Sequence, residues 1–216
     1  MNNSSNTNFE SISNQSTALY VTIFGLLIAI SGSIHGIYSI IKGNISTHGM
    51  LLADIGAFTV IQNYLITGIL AVSVGTLIFL WTIFYIRSKI GPLIFILLSI
   101  ALFLFGGGFA QIPGIVLTWA LSTRIHRPLS FWEKLTTIRI RKRLSKFWAY
   151  FLLIGFTVFI IGYSIWLFVL PPGEAREIGT MQYICWYSLA IGFILLLLAV
   201  PCGFCRDLRI RLKESA

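Results

Sequence analysis

The sequence predicts an all-α fold, a polytopic bundle of about five transmembrane helices with a basic amphipathic helix at the membrane surface. Of the 216 residues, 56% are hydrophobic and 11% are charged, whereas an average soluble domain has about 25% charged residues. The apolar residues form long runs, and a helix of ~20 such residues crosses a bilayer core of ~30 Å. They do not alternate with polar residues, as they would in an outer-membrane barrel. These observations exclude a soluble globular domain.

The chain begins with a polar segment, residues 1–17, that contains no Lys or Arg. A secretory signal would have a positively charged start, so we expect a short disordered tail. A single transmembrane domain, residues 18–205, and a basic cytoplasmic tail, residues 206–216, make up the rest. The predicted spans are 18–41, 64–86, 92–121, 147–170 and 181–201.

Two apolar stretches do not fit a simple span. Residues 50–61 are interrupted by Asp54 and are too short to cross, which is typical of an interfacial or re-entrant segment. If they did cross, the chain would have six spans. Residues 92–121 would form a straight helix of about 45 Å at 1.5 Å per residue. We therefore expect a break or strong bend between Gly106 and Pro113, where three consecutive glycines and a proline disfavour a helix.

Small residues within the spans predict where helices pack closely. Gly32 and Gly36 lie four residues apart in the first span, and Ala71 and Gly75 do so in the second. Such pairs let a neighbouring backbone approach closely. Gly155 and Gly162 recur in the fourth span and favour the same interpretation.

The distribution of basic residues predicts the orientation. Eight of the sixteen Lys and Arg residues lie in 124–146 and four in 206–213. With five spans and the N-terminus outside, thirteen basic residues lie on the inner side and three, namely Arg87, Lys89 and Arg176, lie on the outer side. Cytoplasmic loops are rich in Lys and Arg. The sequence therefore predicts a protein of the cell membrane whose C-terminus is cytoplasmic.

The basic segment, residues 123–146, has the pattern of an amphipathic helix on the membrane surface. Ser130 is followed three residues later by Glu133, which fits a capping box. Phe131, Leu135 and Ile138 share one face, and basic residues occupy the others. Such a helix binds anionic lipids, and a docking surface for a partner protein is the alternative. No nucleic acid is expected as a partner, although a homo-oligomer or another membrane protein is a possible one.

Familiar catalytic motifs are absent from the sequence. None of the three histidines stands in an H-E-x-x-H motif, and G-x-S-x-G, GxGxxG and Walker A patterns are missing. We therefore expect no catalytic, metal or cofactor-binding residues. Cys202 and Cys205 have the C-x-x-C spacing of a redox pair or half a zinc site. No second Cys/His pair is present, which favours the interpretation that both cysteines are simply small residues at the end of a helix.

The first loop carries the candidate site. His35 is the only His, Asp, Glu, Lys or Arg residue inside a predicted span, and Asn44, His48 and Asp54 follow it in the loop that we expect to face the cytoplasm. Polar groups in a membrane tend to face a cavity or a partner. These four residues predict a polar pocket at the inner mouth of the bundle, closed by residues 50–61. The alternative is a solvated loop that contacts only water and headgroups.

Two stretches, IHGIYSIIKGNISTHG at 34–49 and LFLFGGGFAQIPGI at 102–115 with the following STRIHRPLSFWEK, carry a resemblance. The chain resembles a group of uncharacterised prokaryotic multispan membrane proteins with a Gly-Asn…Thr-x-Gly loop and a triple-glycine third span. The resemblance implies a membrane location and a shared fold, and it implies no activity. The first hypothesis for function is accordingly a non-enzymatic assembly, sensory or immunity-type component. A small-solute permease or channel subunit is the second, and a membrane enzyme acting on lipid is the third.

Overall fold

The structure of the protein is a computed structural model that describes residues 13–52, 55–168 and 179–214. These residues form seven α-helices and two short strands. They are α1 (Gln15–Lys42), β1 (Leu51–Leu52), β2 (Ala57–Phe58), α2 (Tyr64–Phe84), α3 (Gly91–Leu104), α4 (Ile112–Ser122), α5 (Ser130–Leu135), α6 (Ile138–Phe168) and α7 (Thr180–Glu214), with a 3-10 turn at Phe109–Gln111 before α4. The expected tail, residues 1–17, lies mostly outside the described residues, but Gln15, Ser16 and Thr17 already belong to α1.

Four helices in the described part of the chain are long and apolar enough to cross a membrane. They are α1, α2, α6 and residues 180–212 of α7. They correspond to the first, second, fourth and fifth predicted spans. The all-α class of a helical membrane-type bundle is thereby confirmed.

The third predicted span is instead a hairpin of two short helices. α3 begins beside α2, where Trp81 Nε1 donates to the Gly91 carbonyl over 3.1 Å. It ends at Leu104, whose carbonyl accepts from Val60 N in the first loop over 3.0 Å. α4 then returns, and His126 Nε2 lies 2.6 Å from the Arg87 carbonyl at the start of the hairpin. The predicted break at Gly106–Pro113 is confirmed, but the chain reverses there instead of continuing across.

This reversal brings both ends of the described chain to the same end of the bundle. The backbone N–H of Ser16 donates to Asp207 over 2.8 Å, which joins the start of α1 to the last turns of α7. The starts of α1 and α6, the ends of α2 and α7, the start of α3, the end of α4 and α5 all lie at this end. We call it the basic end, because most of the Lys and Arg residues lie there. Residues 43–52 and 55–63 lie at the opposite end, which we call the loop end. The five-span prediction places the first loop on the same side as the C-terminus, because it assumes that 92–121 crosses once. In the structure this loop and the last turns of α7 lie at opposite ends of the bundle.

The basic segment does not form one helix. α5 has six residues and no side-chain cap, since Leu129 is its N-cap and Ser130 is already helical. The capping box is therefore not formed, and the rest of the segment is the start of α6. Phe131, Leu135 and Ile138 are 70%, 61% and 70% exposed, so the expected apolar face does point outward.

Glycines allow close approach of the helices. A side chain at Gly36 of α1 would come within 2.9 Å of the Gly68 carbonyl and the Ala71 methyl of α2. A side chain at Gly155 of α6 would come within 3.0 Å of Leu196 of α7. The predicted packing seams are thus present, and they hold the bundle as two tightly packed antiparallel pairs, α1 with α2 and α6 with α7.

The first loop covers the loop end of the bundle. β1 and β2 pair antiparallel, with Leu51 opposite Phe58. Leu52, Ile55 and Ala57 are buried, packed against Tyr64 and Tyr38. Residues 50–61 therefore contain a β-hairpin that packs on the bundle, instead of a helix that spans it.

Candidate functional site

The structure separates the described members of the predicted polar pocket. His35 is 5% exposed and lies inside the bundle. Asn44 is on the exposed loop, where its Oδ1 accepts from Asn63 Nδ2 over 2.8 Å, and His48 is exposed. Asp54 lies outside the described residues. Of the three described members, only His35 belongs to a buried polar cluster.

That cluster is built around Ser31, one helical turn before His35. Ser31 Oγ accepts from Gln111 Nε2 and from Tyr163 Oη, each over 3.1 Å. Its carbonyl oxygen lies 2.9 Å from His35 Nδ1. The His35 ring stacks on Trp166, with ring centroids 5.5 Å apart. Helices α1 and α6 and the tip of the α3–α4 hairpin therefore meet at one polar point inside an apolar bundle.

The glycines of the hairpin tip make this meeting possible. Gly106 and Gly108 have φ of +98° and +86°, values that favour glycine over any residue with a side chain. A Cβ at Gly108 would lie 2.7 Å from His35 Nε2. The backbone of the tip thus rests on the imidazole, at a distance that no other residue type allows.

The first loop contacts the hairpin tip on the side that faces the loop end of the bundle. Phe109 N donates to the Gly56 carbonyl over 2.9 Å, and Thr59 forms an isolated bridge with Phe105. The Phe58 and Phe103 rings stack 5.5 Å apart. The described residues of 50–61 therefore cover the hairpin tip; the pocket that this segment was predicted to close stays a prediction.

The cluster presents hydrogen-bond acceptors that have no donor. The Ser31 carbonyl can only accept, so Nδ1 of His35 carries the proton, and Nε2 of the neutral ring is then an acceptor. No described residue donates to Nε2. Gln111 is 8% exposed, and its Oε1 is buried without a hydrogen-bond partner. Because buried polar atoms are nearly always satisfied, such an atom needs an explanation.

The residues that surround His35 were not predicted from the sequence. Gln111 is the only amide side chain in the apolar run 92–121, and that isolation is a signal that could have identified it. Ser31, four residues before His35, shares its helix face. Tyr163 and Trp166 carry no such signal, because aromatic residues are common throughout the spans.

The three cysteines all lie in α7. Cys185, Cys202 and Cys205 are free and buried. Among the residues that the structure describes, no group of three His, Cys, Asp or Glu side chains could hold a metal ion.

No protein family, curated protein or solved structure matches this chain. The resemblance carried by residues 34–49 and 102–134 stays a prediction.

Proposed function

We propose that this multi-pass protein is a non-enzymatic sensory component of the cell membrane that binds a small, neutral, donor-rich solute at the hairpin tip. The observation that carries the proposal is the buried, unpartnered Oε1 of Gln111. A second acceptor, His35 Nε2, belongs to the same cluster. A solute that brings N–H or O–H donors would satisfy both atoms. A cation is disfavoured, because a charge inside a membrane is costly without a counter-charge.

The hairpin tip supplies a way to report binding. It is held by two kinds of contact, namely the polar cluster inside the bundle and the backbone hydrogen bonds to Gly56 and Val60 of the first loop. A solute that replaces the bond between Gln111 and Ser31 would shift the tip, and with it the covering loop.

The proposal can be tested with two probes that differ only in their donors. Acetamide has two N–H donors, whereas N,N-dimethylacetamide has none. We expect acetamide to raise the thermal midpoint of the purified protein in detergent, and dimethylacetamide not to do so. Gln111→Leu should abolish the difference, and Gln182→Leu, a matched change in the first turn of α7, should preserve it. Equal responses to the two probes would contradict the proposal.

A small-solute permease is the second candidate, and the α3–α4 hairpin favours it. Two half-helices that meet at a glycine-rich tip beside buried polar groups are tolerated in membranes where they line a path. Acetamide entry into proteoliposomes, followed by light scattering, decides between the candidates. Entry faster than in protein-free vesicles, lost in Gln111→Leu, supports the permease. Binding without entry supports the sensor.

We also propose that the basic end faces the cytoplasm. It holds two basic residues in the α2–α3 turn, eight between Arg124 and Lys146 and four from Arg206 to Lys213, fourteen in all. Lys42 is the one described basic residue at the loop end. This bias supports a cytoplasmic basic end. Phosphatase fusions after Lys146 and after Ala216 should be inactive, and a fusion after Gln62 should be active. The reverse pattern would refute the orientation.

The lipid bilayer is the partner we propose for the outward face of α5, with anionic lipids at the basic residues around it. α6 also exposes large apolar side chains, among them Tyr150 and Leu153 at 64% and 65%. Lipid tails or a second copy would cover them. The size of the particle in mild detergent distinguishes a monomer from a homo-oligomer.

A further inference from the structure

A small cleft at the basic end lies between α1, α4, α6 and α7. It has a volume of about 10 Å³, room for about one water-sized atom. Its lining includes Ser16, Tyr20, Leu121, Trp148, Gly203 and Phe204. This cleft is separate from the His35 cluster, which lies where the hairpin tip meets α1 and α6.

A buried N–H group lines the cleft without a partner. Trp148 is 6% exposed, and its Nε1 is buried with no hydrogen-bond acceptor. Gly203 keeps the space beside this atom open, since a Cβ there would lie 2.9 Å from Nε1. An indole N–H that is buried usually has an acceptor, and an oxygen atom placed in the cleft would supply one.

A guanidinium group stands beside the same indole. Arg206 Cζ lies 4.3 Å from the centroid of the Trp148 ring, and its Nη1 lies 3.5 Å from Ser16 Oγ. Because both of those residues line the cleft, the positive charge lies next to it. Arg206 is half-buried, so its interaction with an anion would be screened less than that of an exposed arginine.

The neighbouring carboxylate, Asp207, is outnumbered by arginines on the same turns of α7. Both oxygens of Asp207 accept hydrogen bonds from the start of α1, namely from Ser16 N, Thr17 N and Thr17 Oγ1. Arg209 and Arg211 lie on the same turns of α7. Arg209 donates to Ser145 and Arg211 to Asn14. The surroundings of the cleft are therefore positive on balance.

We propose that this cleft binds a phosphate group, with one phosphate oxygen accepting from Trp148 Nε1 and another paired with Arg206. An indole N–H, a hydroxyl and a guanidinium are donors that suit a phosphate. The small volume admits one oxygen, and the rest of the group stays outside beside the guanidinium. The phosphate belongs either to a phospholipid headgroup or to free phosphate, and the basic end of a membrane protein is where anionic headgroups accumulate.

The test compares three additions to the purified protein in detergent. They are dioleoyl phosphatidylglycerol, dioleoylglycerol, which lacks the phosphate, and inorganic phosphate. We expect phosphatidylglycerol to raise the thermal midpoint in a saturable way, and dioleoylglycerol not to do so. If inorganic phosphate alone produces the same saturable shift, the site is a phosphate site supplied from solution. If it does not, the ligand is the lipid headgroup.

Two variants and two matched controls locate the effect. Trp148→Phe removes the N–H and keeps the ring, and we expect at least about tenfold weaker binding of the active addition, since a hydrogen bond to a charged group is lost. Arg206→Gln should weaken it to a similar extent, and Arg206→Lys should weaken it less. Trp186→Phe at the loop end and Arg87→Gln, an exposed arginine at the basic end, should leave binding unchanged.

A measurement on the wild-type protein avoids reliance on variants that fold poorly. With ¹⁵N-labelled tryptophan, one of the six indole N–H resonances should move as phosphatidylglycerol or phosphate is added. That resonance should be absent from Trp148→Phe, or displaced in Gly203→Ala. The proposal is overturned if dioleoylglycerol acts as well as phosphatidylglycerol and phosphate has no effect. Equal losses in Arg87→Gln and Arg206→Gln would also overturn it, because binding would then follow overall charge.

Discussion

The carboxylate of Asp207 links the two ends of the described chain, and its removal is the most direct test of the architecture. Asp207 is 3% exposed. It accepts from Ser16 N over 2.8 Å, from Thr17 N over 3.1 Å and from Thr17 Oγ1 over 2.8 Å. The first N–H groups of a helix have no partner within the helix, and α1 has no cap from its own N-cap residue, Asn14. A side chain 190 residues away therefore caps this helix.

The expected cost of losing this carboxylate is large. Hydrogen bonds to a charged group contribute about 1.5–3 kcal/mol each, so three bonds set an upper range of about 4.5–9 kcal/mol. Water can reach the basic end and replace part of this interaction once the side chain is shortened. We therefore expect Asp207→Ala to lower the free energy of unfolding by about 3–5 kcal/mol, near or below the lower end of that range. Asp207→Asn keeps one acceptor and should lose about 1–3 kcal/mol.

The assay is reversible unfolding in mixed micelles, together with hydrogen exchange at residues 14–18. Asp207→Ala should speed exchange at Ser16 and Thr17 before the rest of α1 is affected. Glu133→Ala is the matched control, because its carboxylate is exposed at the same end and makes no hydrogen bond to a described residue. If the two variants were equally stable, or if exchange at residues 14–18 did not change, the capping role of Asp207 would be refuted.

Three further predictions concern packing. Gly68→Ala should destabilise the protein by about 1–3 kcal/mol, because its Cβ would lie 2.5 Å from the Gly36 carbonyl, whereas Gly114→Ala, with open space around it, should be neutral in the same unfolding assay. Gly108→Ala should speed hydrogen exchange at residues 105–111, because φ is +86° and the new methyl group would meet His35; unchanged exchange there would contradict the packing of the tip. Arg141 donates from Nε to Thr136 Oγ1 over 3.1 Å and from Nη2 to the Glu133 carbonyl. Arg141→Leu should therefore make α5 accessible to protease while α6 stays protected. Equal protection of α5 in the variant and in the wild-type protein would argue against this link.

The sequence predicts the helices of this protein well, because their signals are local. Predicted spans 18–41 and 64–86 correspond to α1 and α2 within three residues at either end. The break near Gly106 follows from helix propensity alone. The direction of the chain after the break does not, because it depends on contacts of α3 with α2 and of α4 with α1. One missed reversal changed the predicted sides of the first loop and of the N-terminus.

The candidate site was predicted only in part, for a related reason. His35 stands out in the sequence as the only histidine or charged residue in a predicted span, and it does lie in a polar cluster. Its partners come from α6 and from the hairpin tip, 76 to 131 residues further along the chain, and no local pattern links them to it. The loop residues Asn44 and His48 were grouped with His35 because they are near it in sequence. However, α1 continues from His35 to Lys42, so the loop begins about two turns away from the buried ring.

The bond between Thr17 and Asp207 has a consequence for how the chain is made. At about 5–20 residues per second, the ribosome reaches Asp207 about 10–40 s after Thr17 has been synthesised. During that interval the N–H groups at the start of the first helix have at best water as a partner, and the Asp207 carboxylate reaches them only when the last turns of α7 have been made. The first helix therefore gains its N-terminal cap only after the last helix has been synthesised. A chain that stalls in synthesis before α7 exposes an unfinished helix end, which distinguishes it from a finished molecule.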